Sequence, residues 1–260
     1  MLPGSQNAIR LAALAIVAAV LTGCQGMSRV QPVSQVRVID ASPDAPAIDI
    51  HQNSATGLYN VGFGTVSSYI PLSPGAYTHA AYTAGTNQEL AAVRASFLDG
   101  GQYTVLTGNT AAALQMSILR DRSTPAPAGQ VALRIVSQTT RPAAFDLYLL
   151  PAGSPMTALV PLASHATFGS NTGYISAPSG TYSLLAFPAG SAPSATQPVY
   201  NGAQASYPSG AVRTLVLIDQ PQPAGLQPAR GARSASAPGA SAPGASPSLQ
   251  VITANDFDPS

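Results

Sequence analysis

The chain has 260 residues, only 8% of them charged, with a formal net charge of +1. Against a typical charged fraction of about 25%, this leaves no long-range electrostatic capture of a polyanion, so nucleic acid is excluded as an expected partner. Every basic residue is arginine; without lysine there is no P-loop, no Schiff base and no Ser-x-x-Lys nucleophile. At the N-terminus, Arg10 is followed by an uncharged apolar run over 11–21. That run falls within the roughly 7–15 residues of a secretory h-region and short of the ~20 needed to span a bilayer. Residues 1–23 therefore read as a signal peptide.

Leu21-Thr22-Gly23-Cys24 comes next, and Cys24 is the only cysteine in the chain. The tetrapeptide resembles the lipobox of bacterial lipoproteins. That resemblance implies cleavage before Cys24, lipid on its thiol and a protein held on a membrane by acyl chains, with 24–34 as lipidated tether. Lipoproteins of this type carry three chains, whereas one myristoyl-sized chain binds only marginally, at K of about 10⁴ M⁻¹. By resemblance to the Gram-negative sorting rule, Gln25 favours the outer membrane if the host is Gram-negative. The plainer alternative is an ordinary cleaved signal with a chance cysteine. With Cys24 acylated, thiol catalysis, disulfides and cysteine zinc sites are excluded.

Beyond the tether, short apolar runs alternate with Gly, Pro, Asn and Ser, and no segment keeps a helical period for three turns, which is an all-β pattern. Strands are predicted at 36–39, 47–52, 67–72, 76–83, 90–98, 103–107 and 114–119, enough for one sandwich. The pattern then recurs. Arg37-Val38-Ile39 and Ala47-Ile48-Asp49-Ile50 are echoed by Arg134-Ile135-Val136 and Ala144-Phe145-Asp146-Leu147. Phe63-Gly64, Tyr69, Gly75, Tyr77 and Gly85 are echoed by Phe168-Gly169, Tyr174, Gly180, Tyr182 and Gly190 at one constant offset. Such ordered repetition implies two copies of one domain, at 35–122 and 130–256, joined by a linker at 123–129.

Residues 221–247 are nearly all Pro, Ala, Gly, Ser, Gln and Arg, a composition that builds no core and predicts a disordered segment. Leu249-Gln-Val-Ile-Thr-Ala-Asn-Asp256 resembles Leu114-Gln-Met-Ser-Ile-Leu-Arg-Asp121 at the end of copy one. The segment is therefore expected to be an overgrown loop, with 249–254 closing the sheet of copy two. Stretching a loop from about 6 to about 27 residues costs only ~1.2 kcal/mol.

Val36-Arg-Val-Ile-Asp-Ala-Ser-Pro-Asp-Ala-Pro-Ala-Ile-Asp-Ile50, Asn60-Val-Gly-Phe-Gly-Thr65 and Leu72-Ser-Pro-Gly-Ala-Tyr-Thr78 together resemble a bacterial envelope family, a domain of unknown function. Its hallmark is V-R-V-x-H-A-S-P-D-A-P-x-V-D-V. The resemblance implies two tandem immunoglobulin-like antiparallel β-sandwich domains and a secreted or anchored location, with no activity attached. Asp40 stands where the family usually has His, and copy two has Ser137-Gln-Thr-Thr-Arg-Pro142 in place of the proline-flanked loop.

If the chain turns at Pro43, residues 37 and 49 face each other across an antiparallel pair, as do 134 and 146 in copy two. Arg37–Asp49 and Arg134–Asp146 are then expected as outward-facing ion pairs setting register, worth about 0.2–1 kcal/mol each. Asp as a catalytic acid is the weaker reading, because no second carboxylate repeats beside it. Asp40, Asp44 and Asp49 flank one turn, but calcium takes 6–8 oxygen ligands, and Asp44 capping its own turn explains the residue as well. No metal or other cofactor is expected. His51, His79 and His165 show no ligand spacing. Tyr69 with Tyr77, and Tyr174 with Tyr182, would lie side by side on hairpins, as core packing or as stacking platforms for sugar rings. Function is expected to be that of a noncatalytic, lipid-anchored envelope protein offering sandwich surfaces to another envelope protein or a glycan. The alternative is a hydrolase with a Ser/His/Asp site assembled by the fold, although no G-x-S-x-G or H-E-x-x-H occurs.

Overall fold

The structure, a computed structural model, describes residues 31–259 apart from 54, 142–143, 157–158, 160, 194 and 222–248. The signal segment and Cys24 lie outside the described residues, as does the Pro/Ala/Gly/Ser segment apart from Pro221. The chain divides into Met1–Pro32 and Val33–Ser260, and every strand belongs to the second unit.

Copy one contains β1 (Ser34–Asp40), β2 (Ile48–Gln52), β3 (Ala55–Val61), β4 (Ile70–Leu72), β5 (Gly75–Thr83), β6 (Glu89–Phe97), β7 (Gln102–Gly108) and β8 (Gln115–Asp121). They form two sheets, ordered β4-β1-β7-β8 and β3-β2-β5-β6. Copy two contains β9 (Gln130–Ser137), β10 (Phe145–Pro151), β11 (Ala163–Ala166), β12 (Asn171–Pro178), β13 (Gly180–Pro188), β14 (Tyr200–Asn201), β15 (Ala205–Tyr207), β16 (Val212–Asp219) and β17 (Leu249–Phe257). Its sheets run β12-β9-β16-β17 and β11-β10-β13-β14, with β15 also on β13. These are two tandem β-sandwiches. Their pairings are antiparallel except β1 with β7 and β9 with β16, which are parallel.

Alternation along the strands fills each sandwich. Val36, Val38, Ile48 and Ile50 share the core of copy one with Phe97 and Val105, and Ile135, Phe145, Leu147 and Leu215 share that of copy two. The opposite faces of β1, β7, β9 and β16 are also buried. Ile39, Leu106, Val136, Val216, Ile218 and Ile252 form a third core, in which the β1 sheet lies against the β9 sheet. These two inner sheets are thus covered on both sides, and the β2 and β10 sheets are the outer layers.

The layering overturns the expected Arg37–Asp49 and Arg134–Asp146 pairs. After Asp40 the chain crosses to the other sheet instead of folding back as a hairpin, so β1 and β2 share a core without sharing hydrogen bonds. Arg37 and Arg134 point away from that core, but into the face shared by the two copies, where each is 2% exposed.

Leu249–Phe257 pairs antiparallel with Val212–Asp219, from Asp219↔Leu249 to Val212↔Phe257, and is the last strand of copy two. The 123–129 segment is docked: Ala126 is buried, and its N–H donates to the Gly210 carbonyl at 3.0 Å. Gly108 shows how closely the copies approach, since a Cβ there would fall 1.9 Å from Oε1 of Gln138.

Candidate functional site

At the centre of the inner interface the two copies exchange charge. Arg37 of copy one donates Nη2 to Asp256 Oδ1 of copy two and Nη1 to the Asn255 carbonyl (2.7 Å), while its Nε donates to Thr104 of its own copy (2.9 Å). Arg134 mirrors it, with Nη2 to Asp121 Oδ1 (2.5 Å), Nη1 to the Arg120 carbonyl (2.9 Å) and Nε to Thr214 (3.0 Å). Each carboxylate also accepts a threonine hydroxyl of its own copy, Thr104 on Asp121 and Thr214 on Asp256, both at 2.6 Å. The arrangement is isologous: each copy offers Arg, Thr and Asp to the same set on the other. Buried charges are tolerated only when paired and hydrogen-bonded, as here. Burial raises the Asp256 carboxyl above its ordinary range, against the pull of Arg37.

Tyr69 and Tyr174 close this cluster. Each ring lies 4.7 Å from a guanidinium carbon, Tyr69 against Arg37 and Tyr174 against Arg134. Their hydroxyls donate to Asp121 and Asp256 at 2.8 Å. Burial pushes both phenols up. Tyr77 instead packs on Phe97 at 6.0 Å and Tyr182 on Tyr207 at 6.3 Å, both in sandwich cores. The side-by-side pairs of Tyr69 with Tyr77 and Tyr174 with Tyr182, read as core packing or as stacking platforms, are therefore not formed. The chain changes sheet between the members of each pair.

Asp49 and Asp146 repeat for another reason. The Asn60 and Gly85 N–H groups donate to the two oxygens of Asp49 at 2.7 and 2.9 Å, and those of His165 and Gly190 donate to Asp146 at 2.8 Å each. All four donors have left-handed backbone, with φ of 52, 70, 54 and 75°. One carboxylate thus ties down two left-handed corners, and these bonds, that of Gly85 foremost, hold the Asp49 carboxyl below its usual range.

Asp40 accepts from Ser42 N–H (3.0 Å) and the Thr107 hydroxyl (2.9 Å), and Asp44 accepts from Ala111 N–H (2.8 Å) rather than capping its own turn. Asp40, Asp44 and Asp49 do not converge. Among the described residues no group of three His, Cys, Asp or Glu side chains is placed to hold a metal.

The histidines sit in three different settings. His165 is exposed, with Nδ1 4.0 Å from an Asp146 oxygen that already accepts the His165 N–H. His51 stacks on Tyr82 at 4.3 Å. His79 is 3% exposed between the sheets of copy one, its Nε2 has no hydrogen-bond partner among the described residues, and burial lowers its pKa to about 4. Among the described residues, neither His79 nor His165 is joined to both a serine and a carboxylate, the constellation a Ser/His/Asp hydrolase needs.

Each sandwich opens between its third and fourth strands. In copy one, Val36, Ile50, Leu58, Leu72 and His79 line a cavity of about 40 Å³. In copy two, Ile135, Leu147, Ser164, Ser170, Asn171 and Thr172 line a cleft of about 350 Å³. Thr172 and Ser170 already accept the Ile135 and Thr167 N–H groups, and Asn171 accepts that of Gly173. Among the described residues no helix is long and apolar enough to cross a membrane.

The family described as "Domain of unknown function (DUF4397)" matches residues 34–148, which take in all of copy one and the start of copy two. No curated protein matches the chain. Two solved structures share 8% identity with it. The Bacillus anthracis TIE protein covers 73% of this chain with a TM-score of 0.24, and the chain spans about a third (34%) of that protein's length. A structure described as "Alpha-glucan binding by a streptococcal virulence factor" covers 59% of this chain and 80% of its own, with a TM-score of 0.22. Likeness at this level carries no argument about this chain's fold or ligand.

Proposed function

We propose that the chain is a noncatalytic, lipid-anchored cell-envelope protein whose two fused sandwiches present binding surfaces to an envelope protein or glycan. One observation carries the noncatalytic reading. The polar groups that recur in both copies are consumed by architecture: Arg37 and Arg134 with Asp256 and Asp121 between the copies, and Asp49 and Asp146 at their corners. What the copies share is thus a means of building a rigid body, and recognition falls to their surfaces. The anchor rests on Cys24 in its lipobox-like setting behind a short apolar run.

Metabolic labelling with an alkyne fatty acid tests the anchor. The wild-type chain is expected to carry label at the size of the cleaved form, and Cys24→Ser to accumulate as an unlabelled, uncut precursor. Labelled product of cleaved size from Cys24→Ser would refute it. Photo-crosslinking from position 59 in intact envelopes tests the surface reading, with a discrete adduct expected in place of the bare chain.

A further inference from the structure

The outer sheets of the two copies differ in a way their shared interface does not. Registers place Asp49 opposite Tyr82 and His51 opposite Ala80 in copy one, and Asp146 opposite Phe187 and Tyr148 opposite Leu185 in copy two. Each outer face therefore carries a ring pair at the same place: His51–Tyr82 at 4.3 Å and Tyr148–Phe187 at 5.5 Å. In copy two that pair is sealed. Tyr148 is 4% and Phe187 0% exposed, in a cluster with Leu185 against which Leu159 packs.

In copy one the equivalent pair is half-exposed, and Ala80 stands where copy two has Leu185. The Tyr82 hydroxyl donates to Glu89 Oε2 at 2.9 Å, at the exposed edge of the sheet. Tyr59, 72% exposed, lies on the β3 bulge beside Asp49, two strands from Tyr82, or about 10 Å at ordinary strand spacing.

An apolar cover like that of copy two would bury the Tyr82–Glu89 pair, a charge among hydrocarbon atoms, at high cost. A sugar ring matches the face better. Its C–H side stacks on aromatic rings while its hydroxyls meet polar groups at their edges. Glu89 and the exposed Arg94 on the same strand oppose each other in sign, and the net charge of +1 provides no field for an anion. We propose that this face is a binding site for neutral hexose oligosaccharides, with Tyr82 and His51 as one stacking surface, Tyr59 as a second, and Glu89 holding the Tyr82 ring in place. This rests on the reading of the chain as an envelope binding module and names the ligand class.

The test is saturation-transfer NMR on the lipidated full chain in sugar-free detergent, with maltohexaose and cellohexaose as probes. Transfer to ring C–H protons of at least one is expected, reduced about five-fold by Tyr82→Ala and about two-fold by Tyr59→Ala. Tyr82→Phe, which keeps the ring, is expected to retain most of it. Absence of transfer to both sugars, or equal transfer in the wild type and Tyr82→Ala, overturns the proposal. If Tyr82→Ala does not fold, the exposed Tyr59→Ala decides, and unchanged transfer there overturns it. Failure on sugars leaves the fatty-acid labelling result standing, so the two readings fall separately.

Discussion

Replacing His79 by leucine removes a polar group with no partner among the described residues and installs what copy two carries at the equivalent position, Leu184, itself a core residue. The unpaired Nε2 costs about 1–3 kcal/mol. Against this stands the edge contact with Phe97 at 5.2 Å, worth about 0.5–1.5 kcal/mol. Net stabilisation of about 1 kcal/mol is expected near neutral pH. The pH dependence is the sharper test. The folded state takes up its proton on His79 only near pH 4, whereas the unfolded chain does so near 6.5. The stability tied to a neutral His79 is therefore fully present above pH 6.5 and is lost as pH falls towards 4. At 1.36 kcal/mol per pKa unit the loss reaches about 3 kcal/mol. The leucine variant lacks this component, so its advantage should widen on acidification, carboxylate titrations being common to both proteins. Urea unfolding followed by circular dichroism at about pH 7 and about pH 4.5 reads the difference. Parallel loss of stability in the two proteins would refute the reasoning.

Two further outcomes follow from the inner interface. Alanine at either Arg134 or Asp121 is expected to cost about 3–5 kcal/mol, with strong coupling in the double-mutant cycle. A cycle on Arg134 and Asp146, which make no contact, should be additive within about 0.5 kcal/mol; coupling beyond that would contradict the layer order. Truncation after Gln220 removes Asp256 from Arg37 and strips β17 from both cores, so a clear drop in melting temperature is expected. Internal deletion of residues 222–246, which lowers the cost of loop closure by about 2 kcal/mol, should be neutral to mildly stabilising. Equal melting of the truncated and full chains would refute this assignment of β17.

Much of the β architecture was legible because period-two alternation is enforced by a core on at least one side. Seven of the eight strands of copy one are anticipated from it, and the repeat follows from residue spacing alone. The missing strand, β3, carries Gly57 and Asn60 and a bulge opposite Asp49, which break the alternation. The burial of Arg37 and Arg134 between the copies is hidden from alternation for a different reason. Alternation separates one face of a strand from the other, but it does not distinguish water from a second sheet. Yet a signal was there. Val105-Leu106, Ile135-Val136 and Leu215-Val216-Leu217-Ile218 are unbroken apolar runs, the mark of strands buried on both faces. Asp121 and Asp256 recur at the same place in the last strand of each copy. A buried arginine in each copy needs a carboxylate, and these were the recurring pair left without a role.

The two copies match at their shared interface and differ on their outer faces. Arg37, Thr104, Asp121 and Tyr69 each have a counterpart in Arg134, Thr214, Asp256 and Tyr174, because one geometry must serve both sides of a two-fold contact; losing an arginine or an aspartate unbalances buried charge. No such constraint acts on the outer sheets. There His51, Ala80 and Tyr82 correspond to Tyr148, Leu185 and Phe187, and the open face of copy one corresponds to a sealed face in copy two. Sealing that face stabilises the sandwich by burying about 25 cal/mol per Å² of apolar surface. Copy one forgoes that gain while keeping the ring pair and adding polar atoms at its edges. Stability alone would favour the sealed arrangement, so the open aromatic face is where recognition is best sought in this chain.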